Sequence, residues 1–203
     1  YKVTRNLCHK LGVKHIIAPV SNDPIQTIIK TENSHLTFQE YFVKLRCEPV
    51  VAGIEFSGAK TAECLPMLRE VLNSEQLKAI VICPSNPHLS IGPMLAIPEL
   101  NRHLKNRTVP CIAVSPIIAG EAVKGPAAKI MRELGSIPCP SSIAKFYDGL
   151  IDGIIIDEAD ATEATNILNS GVLPKVIPTL MKSKKDEKTL AERVVLFAQE
   201  LQT

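Results

Sequence analysis

Short polar side chains stand between an apolar run and a helical pattern in the segment 79–100, AIVICPSNPHLSIGPMLAIPEL. Ser85, Asn86 and Pro87 follow the apolar run, and Gly92 precedes a proline that suits the first turn of a helix. In an open parallel sheet, ligands gather beyond the carboxyl ends of the strands, because helix N-termini point free N–H groups and positive dipole ends there. The segment therefore predicts a loop that cradles a phosphate.

The same order of parts recurs in the segment 111–134, CIAVSPIIAGEAVKGPAAKIMREL. Ser115 and Pro116 end the apolar run, and Gly125 and Pro126 open the helix. Two neighbouring junctions of this kind predict a site for a diphosphate or a nucleotide. The residues of both junctions that we expect at the site are Ser85, Asn86, Pro87, Ser90, Gly92, Ser115, Pro116, Lys124, Gly125 and Pro126.

Two lysines flank the second glycine–proline pair, and an ammonium group can neutralise phosphate charge. Lys124 lies in the loop, and Lys129 lies about one turn inside the helix. The alternative is that Asn-Pro and Gly-Pro only mark ordinary turns between elements and that both lysines are solvated.

Two further groups of residues are open to more than one interpretation. Asp157 and Asp160 follow a predicted strand, where they would hold a metal or cap the next helix. Phe38, Tyr41 and Phe42 form an aromatic cluster, which would wall a flat ring or belong to the core. A ligand ring is expected to touch at most one of the three.

These residues need a sheet to position them, and the apolar pattern predicts one. Apolar runs without alternation indicate strands buried on both faces, and helical patterns lie between them. The fold class is therefore α/β: a Rossmann-like, mainly parallel sheet flanked by helices, in one domain over residues 1–203. Residues 36–56 depart from this pattern as a β-hairpin or edge excursion of two extended segments, 36–44 and 50–56. The expected strands are 15–18, 79–83, 111–114, 153–156 and 176–178, and the expected helices are 62–72, 94–105, 127–135, 161–170 and 187–201.

Charge and composition exclude several classes of protein. The chain has 203 residues, with 23 Lys and Arg against 21 Asp and Glu, so no bulk charge favours nucleic acid or an anionic membrane. No apolar run approaches the roughly 18 residues that span a bilayer. We expect a cytoplasmic protein whose six separate cysteines are reduced, mostly buried thiols.

Several strings together resemble one family. PSNPHLSIGPMLAIP, AVSPIIAGEAVKGPAAKIMRELG and FYDGLIDGIIIDEADA, in this order, are similar to the 2-phospho-L-lactate transferases of deazaflavin coenzyme biosynthesis. SNDPIQTII, FQEYFVKLRCEPVV and VIPTLMKSKKDEKTLAERVV resemble the same family. The resemblance covers essentially the whole chain.

The resemblance implies a transfer that releases GMP. A small acid activated by guanosine diphosphate passes its phosphorylated part to the terminal ribityl hydroxyl of the deazaflavin Fo, with help from Mg²⁺. The donor acid is phospholactate, phosphoenolpyruvate or phosphoglycerate. Lys129 belongs to the family-like string Gly-Pro-Ala-x-Lys, so it is the lysine expected to be catalytic, with Lys124 a neighbour. A homodimer is also implied.

The chain departs from the family at one end. Family members carry a further N-terminal part with a GGTG-like turn and with acidic and arginine residues associated with metal and deazaflavin. This chain resembles the C-terminal two thirds, so the ligands of Mg²⁺ are expected mainly in the other part, and the 203 residues alone are expected to be inactive. Two alternatives remain: a nucleotide-sugar-binding regulatory protein of the related gluconeogenesis-factor family, and a doubly wound domain without a small-molecule site.

Overall fold

A computed structural model describes residues 1–202. Its strands are β1 (Gln26–Lys30), β2 (His35–Thr37), β3 (Gly53–Ser57), β4 (Ile80–Ile82), β5 (Cys111–Val114), β6 (Ile117–Ile118), β7 (Glu121–Ala122), β8 (Gly153–Ile156) and β9 (Leu173–Val176). Its α-helices are α1 (Lys2–Lys10), α2 (Pro66–Leu72), α3 (Gly92–Leu95), α4 (Pro98–Lys105), α5 (Ala127–Glu133), α6 (Pro140–Phe146), α7 (Ala164–Asn169) and α8 (Lys184–Glu200).

The centre of the fold is a parallel sheet with the order β4-β5-β8-β9. Every residue of β5 and β8 is buried, as the apolar runs without alternation predicted. Successive side chains point to opposite faces. Ile154 and Ile156 pack into the larger core with helices α3 to α7, whereas Ile155 packs against α8. The predicted fold class, a Rossmann-like parallel sheet between helices, is confirmed.

The excursion is a second, antiparallel sheet with the order β2-β1-β3. The extended segments 36–44 and 50–56 do not pair with each other, because β2 and β3 lie on either side of β1. Residues after β2 turn into a wide helical turn, Glu40–Lys44. Glu40 Oε2 accepts hydrogen bonds from Thr37 N and Thr37 Oγ1, and Thr37 Oγ1 accepts one from Glu40 N. This is a capping box, the helix-start signal that TFQE carries.

Other boundaries also differ from the prediction. Residues 15–18 are not a strand: no described strand pairs with them, and Ile16 is 77% exposed. The last strand is β9, slightly earlier than 176–178. The helix expected over 94–105 is interrupted before Pro98, because proline cannot donate to the preceding turn, and α6 was not predicted.

The antiparallel sheet is fastened to α5 by packing and by polar contacts. Ile29, Tyr41 and Val51 form a buried cluster with Ile130 of α5. Lys129 Nζ donates to the carbonyl of Pro49 at 2.9 Å.

Lys129 also forms an ion pair with Glu133 one turn along α5, at 2.5 Å. Glu133 Oε2 accepts from Val51 N at 3.0 Å. Lys129 and Glu133 therefore join α5 to the loop before β3.

The expectation of reduced, mostly buried cysteines is met only in part. All six cysteines are free thiols: Cys64 and Cys111 are buried, Cys83 is exposed, and the rest are half-buried. Burial raises the pKa of the Cys111 thiol to about 11. No helix in residues 1–202 is long and apolar enough to cross a membrane.

The packing of the antiparallel sheet on α5 can be tested at Tyr41, because its hydroxyl is buried without a hydrogen-bond partner. Burial also raises the pKa of Tyr41. Tyr41→Phe removes an unpaired polar atom, so we expect the free energy of unfolding in urea to stay constant or rise by up to about 1 kcal/mol. Tyr41→Ala should lower it by about 3–5 kcal/mol. A loss above about 1 kcal/mol in Tyr41→Phe would show that the hydroxyl has a partner.

Candidate functional site

A cavity of about 280 Å³ lies beyond the carboxyl ends of β4, β5 and β9. The junctions singled out in the sequence meet there, because parallel strands end at one edge of the sheet. Its lining residues are Pro84, Asn86, Ser115, Pro116, Ile118, Val123, Lys124, Ala127, Thr179, Leu180, Met181 and Glu187.

Asn86 supplies the clearest polar donor of the cavity. Its Oδ1 accepts hydrogen bonds from His88 N and Leu89 N, both at 3.0 Å, and so caps the wide turn Pro87–Ile91. This fixes the orientation of the amide, and its Nδ2 is buried without a partner. A buried N–H group without an acceptor costs free energy, so the site favours a ligand that brings one.

Ser115 shapes the second junction. Its hydroxyl donates to the carbonyl of Ile117 at 3.0 Å and accepts from Ile117 N at 3.1 Å. The side chain is buried and holds the turn after β5, so it orders the cavity wall where Pro116 lies.

The two lysines lie in different places. Lys124 is exposed and lines the cavity. Lys129, which the sequence analysis expected to be catalytic, is not a lining residue. Its ammonium group is engaged with Pro49 and Glu133, as described above.

The remaining predicted residues do not line the cavity. Gly92 allows a close approach, because a Cβ there would lie 2.9 Å from Phe56 Cζ and 3.1 Å from the carbonyl oxygen of Pro87. Gly125 adopts φ +73°, the left-handed region that favours glycine. The residues outside the lining are Ser85, Pro87, Ser90, Gly92, Gly125, Pro126 and Lys129.

The two aspartates of IIIDEAD bind backbone groups. Asp157 Oδ1 accepts from Ala159 N at 3.1 Å, and its Oδ2 accepts from Thr179 N at 2.7 Å and from Thr179 Oγ1 at 3.1 Å. Both oxygens of Asp160 accept from Ala119 N. The capping interpretation of Asp157 is therefore confirmed. Burial alone would raise the pKa of Asp157, but the hydrogen bonds from Thr179 and Ala159 lower it below its usual range, whereas burial raises the pKa of Asp160.

Sequence reasoning missed the third wall of the cavity. Thr179, Leu180, Met181 and Glu187 follow β9, the strand that the sequence pattern placed over 176–178. The rule that marked the other junctions applies here too, since these residues follow the carboxyl end of a parallel strand.

A larger hollow of about 520 Å³ lies elsewhere, around Asp23 and Glu63. Asp23 belongs to the SNDP string, where Ser21 Oγ accepts from Asp23 N at 3.0 Å and Asp23 Oδ2 accepts from Glu63 N at 2.8 Å. SNDP is therefore a turn outside the cavity. Its carboxylates do not suit an anion.

The described residues do not gather metal-ligating side chains into a cluster. No group of three or more His, Cys, Asp or Glu side chains in residues 1–202 could hold a metal, and the carboxylate in the cavity lining is that of Glu187.

Comparison with known proteins decides the family. The family described as 2-phospho-L-lactate transferase CofD matches residues 1–185. The chain belongs to this family. The 2-phospho-L-lactate transferase of Methanococcoides burtonii is 36% identical over 188 residues, covering 92% of this chain and 60% of the relative. The phosphoenolpyruvate transferase of Streptomyces griseus is 30% identical over 204 residues, covering 98% of this chain and 64% of the relative.

This member of the family spans about three fifths of the length of the relatives that it matches. A crystal structure of a Bacillus halodurans protein is similar with a TM-score of 0.64 at 15% identity, covering 96% of this chain and 66% of the other. A second structure from that organism, described as a member of the UPF0052 family, gives a TM-score of 0.60 at 16% identity. Both likenesses show the fold.

Asp157 provides a test of the cavity wall. Because its pKa is lowered on folding, its contribution to stability is present above the unfolded value of about 4 and is lost as the pH falls through the folded value. Asp157→Asn keeps the size of the side chain but replaces one accepting oxygen by an NH₂ group, so the hydrogen bonds from either Ala159 or Thr179 are lost. We therefore expect the free energy of unfolding at pH 7 to fall by about 1–3 kcal/mol. The loss should shrink in urea titrations below about pH 3. The exposed Asp148→Asn is the control, and equal losses at both pH values would contradict the assignment.

Proposed function

We propose that the protein transfers the phosphorylated part of a guanosine diphosphate-activated small acid to the deazaflavin Fo and releases GMP. Family membership and the relatives' names support a transferase of this class. The observation that carries the proposal to this site is the buried, unpartnered Nδ2 of Asn86, in a cavity that Lys124 also lines.

The transfer breaks one phosphorus–oxygen bond and forms another. The terminal hydroxyl oxygen of Fo bonds to the phosphorus that carries the acid, the bond from that phosphorus to the bridging oxygen breaks, and GMP leaves with the bridging oxygen. The hydroxyl proton passes to solvent. Such reactions depend mainly on positioning and on neutralising charge.

The residues of the cavity are suited to these two tasks. Asn86 Nδ2 would donate to a non-bridging phosphoryl oxygen, which is the acceptor that the buried amide lacks. Lys124 would pair with the charge that develops on the bridging oxygen. Ser115 and Asp157 would hold the loops that place these groups.

The donor acid belongs to a set of three: phospholactate, phosphoenolpyruvate and phosphoglycerate. The relatives' names divide between the first two. Incubating the full-length protein with Fo, Mg²⁺ and each guanylylated acid, and measuring GMP, tests the activity and selects the acid.

Fewer aromatic side chains are candidates for contact with the Fo ring than the sequence offered. Tyr41 is fully buried, whereas Phe42 is 42% exposed and stacks on Phe38, so the candidates are Phe38 and Phe42. The homodimer and the Mg²⁺ requirement stay predictions.

Asn86→Asp tests the phosphate contact without removing the cap. The new carboxylate still accepts from His88 N and Leu89 N, but an oxygen replaces the donor. We expect GDP affinity, measured by calorimetry, to fall by at least about 100-fold, because an acceptor would face an acceptor. The exposed Asn169→Ala should leave affinity unchanged. Unchanged affinity in a folded Asn86→Asp variant would remove Asn86 from the site.

The two lysines are separated by comparing Lys124→Met with Lys129→Met. Lys124→Met should lower kcat for GMP release by about 10²-fold or more, the effect of losing one electrostatic contact in the transition state. Lys129→Met should lower the free energy of unfolding by about 1–2 kcal/mol, because Pro49 and Glu133 lose their partner. The opposite result, a kcat loss in Lys129→Met at unchanged stability, would return the catalytic role to Lys129.

A further inference from the structure

We propose that Glu187, together with Leu180 and Met181, binds the base of the donor nucleotide and selects guanine. This inference rests on the proposed function, since it concerns the same cavity and a nucleotide bound there. It assigns a specificity role to a residue in the wall that sequence reasoning missed.

The groups that line the cavity differ in how deeply they are buried. Asn86 Nδ2 and Ser115 are buried. Glu187 is exposed in the first turns of α8, and Leu180 and Met181 are 38% and 41% exposed. Lys124 is exposed too, but its positive charge suits the phosphates. A nucleotide whose phosphates reach Asn86 Nδ2 and Lys124 therefore leaves its base beside Leu180, Met181 and Glu187.

Glu187 needs a hydrogen-bond donor from the ligand, whereas Asn86 Nδ2 needs an acceptor. Within residues 1–202, its carboxylate has no hydrogen bond or ion pair to another side chain or to the backbone. An ionised carboxylate only accepts hydrogen bonds, so it cannot pair with phosphoryl oxygens or with the carboxylate of the donor acid. It needs a ligand edge that carries N–H or O–H donors.

Guanine is the common nucleobase that matches a carboxylate at two points. Its N1–H and its exocyclic 2-amino group are adjacent donors, which the two oxygens of one carboxylate can accept side by side. Adenine presents an acceptor beside its amino group, and uracil presents one N–H between two carbonyls. A carboxylate at this position therefore discriminates among bases.

The neighbouring apolar side chains suit the flat face of a base. Leu180 and Met181 are exposed apolar groups on the cavity wall, and methionine adapts its shape to an aromatic surface. They directly follow Thr179, which Asp157 holds through a backbone and a hydroxyl hydrogen bond. The surface beside Glu187 is thus fixed by the end of β8.

The test compares nucleoside diphosphates by calorimetry with the full-length protein. Wild type should bind GDP more tightly than ADP, with IDP, which lacks the 2-amino group, in between. In Glu187→Gln, GDP affinity should fall about 10- to 100-fold, the effect of losing hydrogen bonds to a charged group, while ADP affinity stays within about threefold. Glu192→Gln is the matched control, because Glu192 is exposed on the same helix and does not line the cavity.

Three results would overturn the inference. Unchanged GDP affinity in Glu187→Gln would exclude contact with the base. Equal losses for GDP and ADP would indicate contact with the ribose. A fall in kcat at constant GDP affinity would make Glu187 a group for the transfer step. The proposed function fails separately, if wild type neither binds GDP nor releases GMP from any guanylylated acid.

Discussion

The site depends on the alignment of parallel strands whose carboxyl ends meet at one edge of the sheet. β5 and β8 are buried on both faces, so their register is set by the helices above and below as well as by the ladder. A slip of one residue would turn Ile154 and Ile156 away from the larger core. Because the register is fixed, Ser115 after β5 and Asp157 after β8 always leave the sheet at the same edge. The cavity is a consequence of this order.

Two carboxylates, the half-buried Asp157 and the buried Asp160, then connect the loops that leave this edge. Asp157 joins the end of β8 to the segment after β9, and Asp160 holds the backbone at Ala119, where φ is +49°. A residue other than glycine adopts such a conformation only where its surroundings impose it. Carboxylates that accept several N–H groups provide such constraints, because each replaces water that the buried backbone has lost. The loops of the site are therefore held by charge-assisted hydrogen bonds rather than by their own sequence preferences.

The antiparallel sheet is a second layer of support. It packs on α5, the helix that begins at the Gly125-Pro126 junction, through Tyr41, Val51 and Ile130. Lys129 spans this interface from α5 to Pro49. Lys129 thus ties the helix to the antiparallel sheet, while Lys124, one residue before Gly125, lines the cavity. The strings that mark the family accordingly include residues that join elements of the fold as well as residues that line the cavity.

The sequence by itself determined the fold class, the buried strands β5 and β8, the junctions after β4 and β5, and the family. These features are local: an apolar run, a turn residue and a helix start lie within a few positions of one another, and their chemistry does not depend on distant contacts. Only the tertiary structure decided which side chains share the cavity. The direction of Lys129 depends on a carbonyl 80 residues away, at Pro49. The position of the cavity wall at Thr179 depends on a hydrogen bond to Asp157, 22 residues earlier. The strand expected over 15–18 failed for the same reason, since an apolar run becomes a strand only where another strand completes its hydrogen bonds.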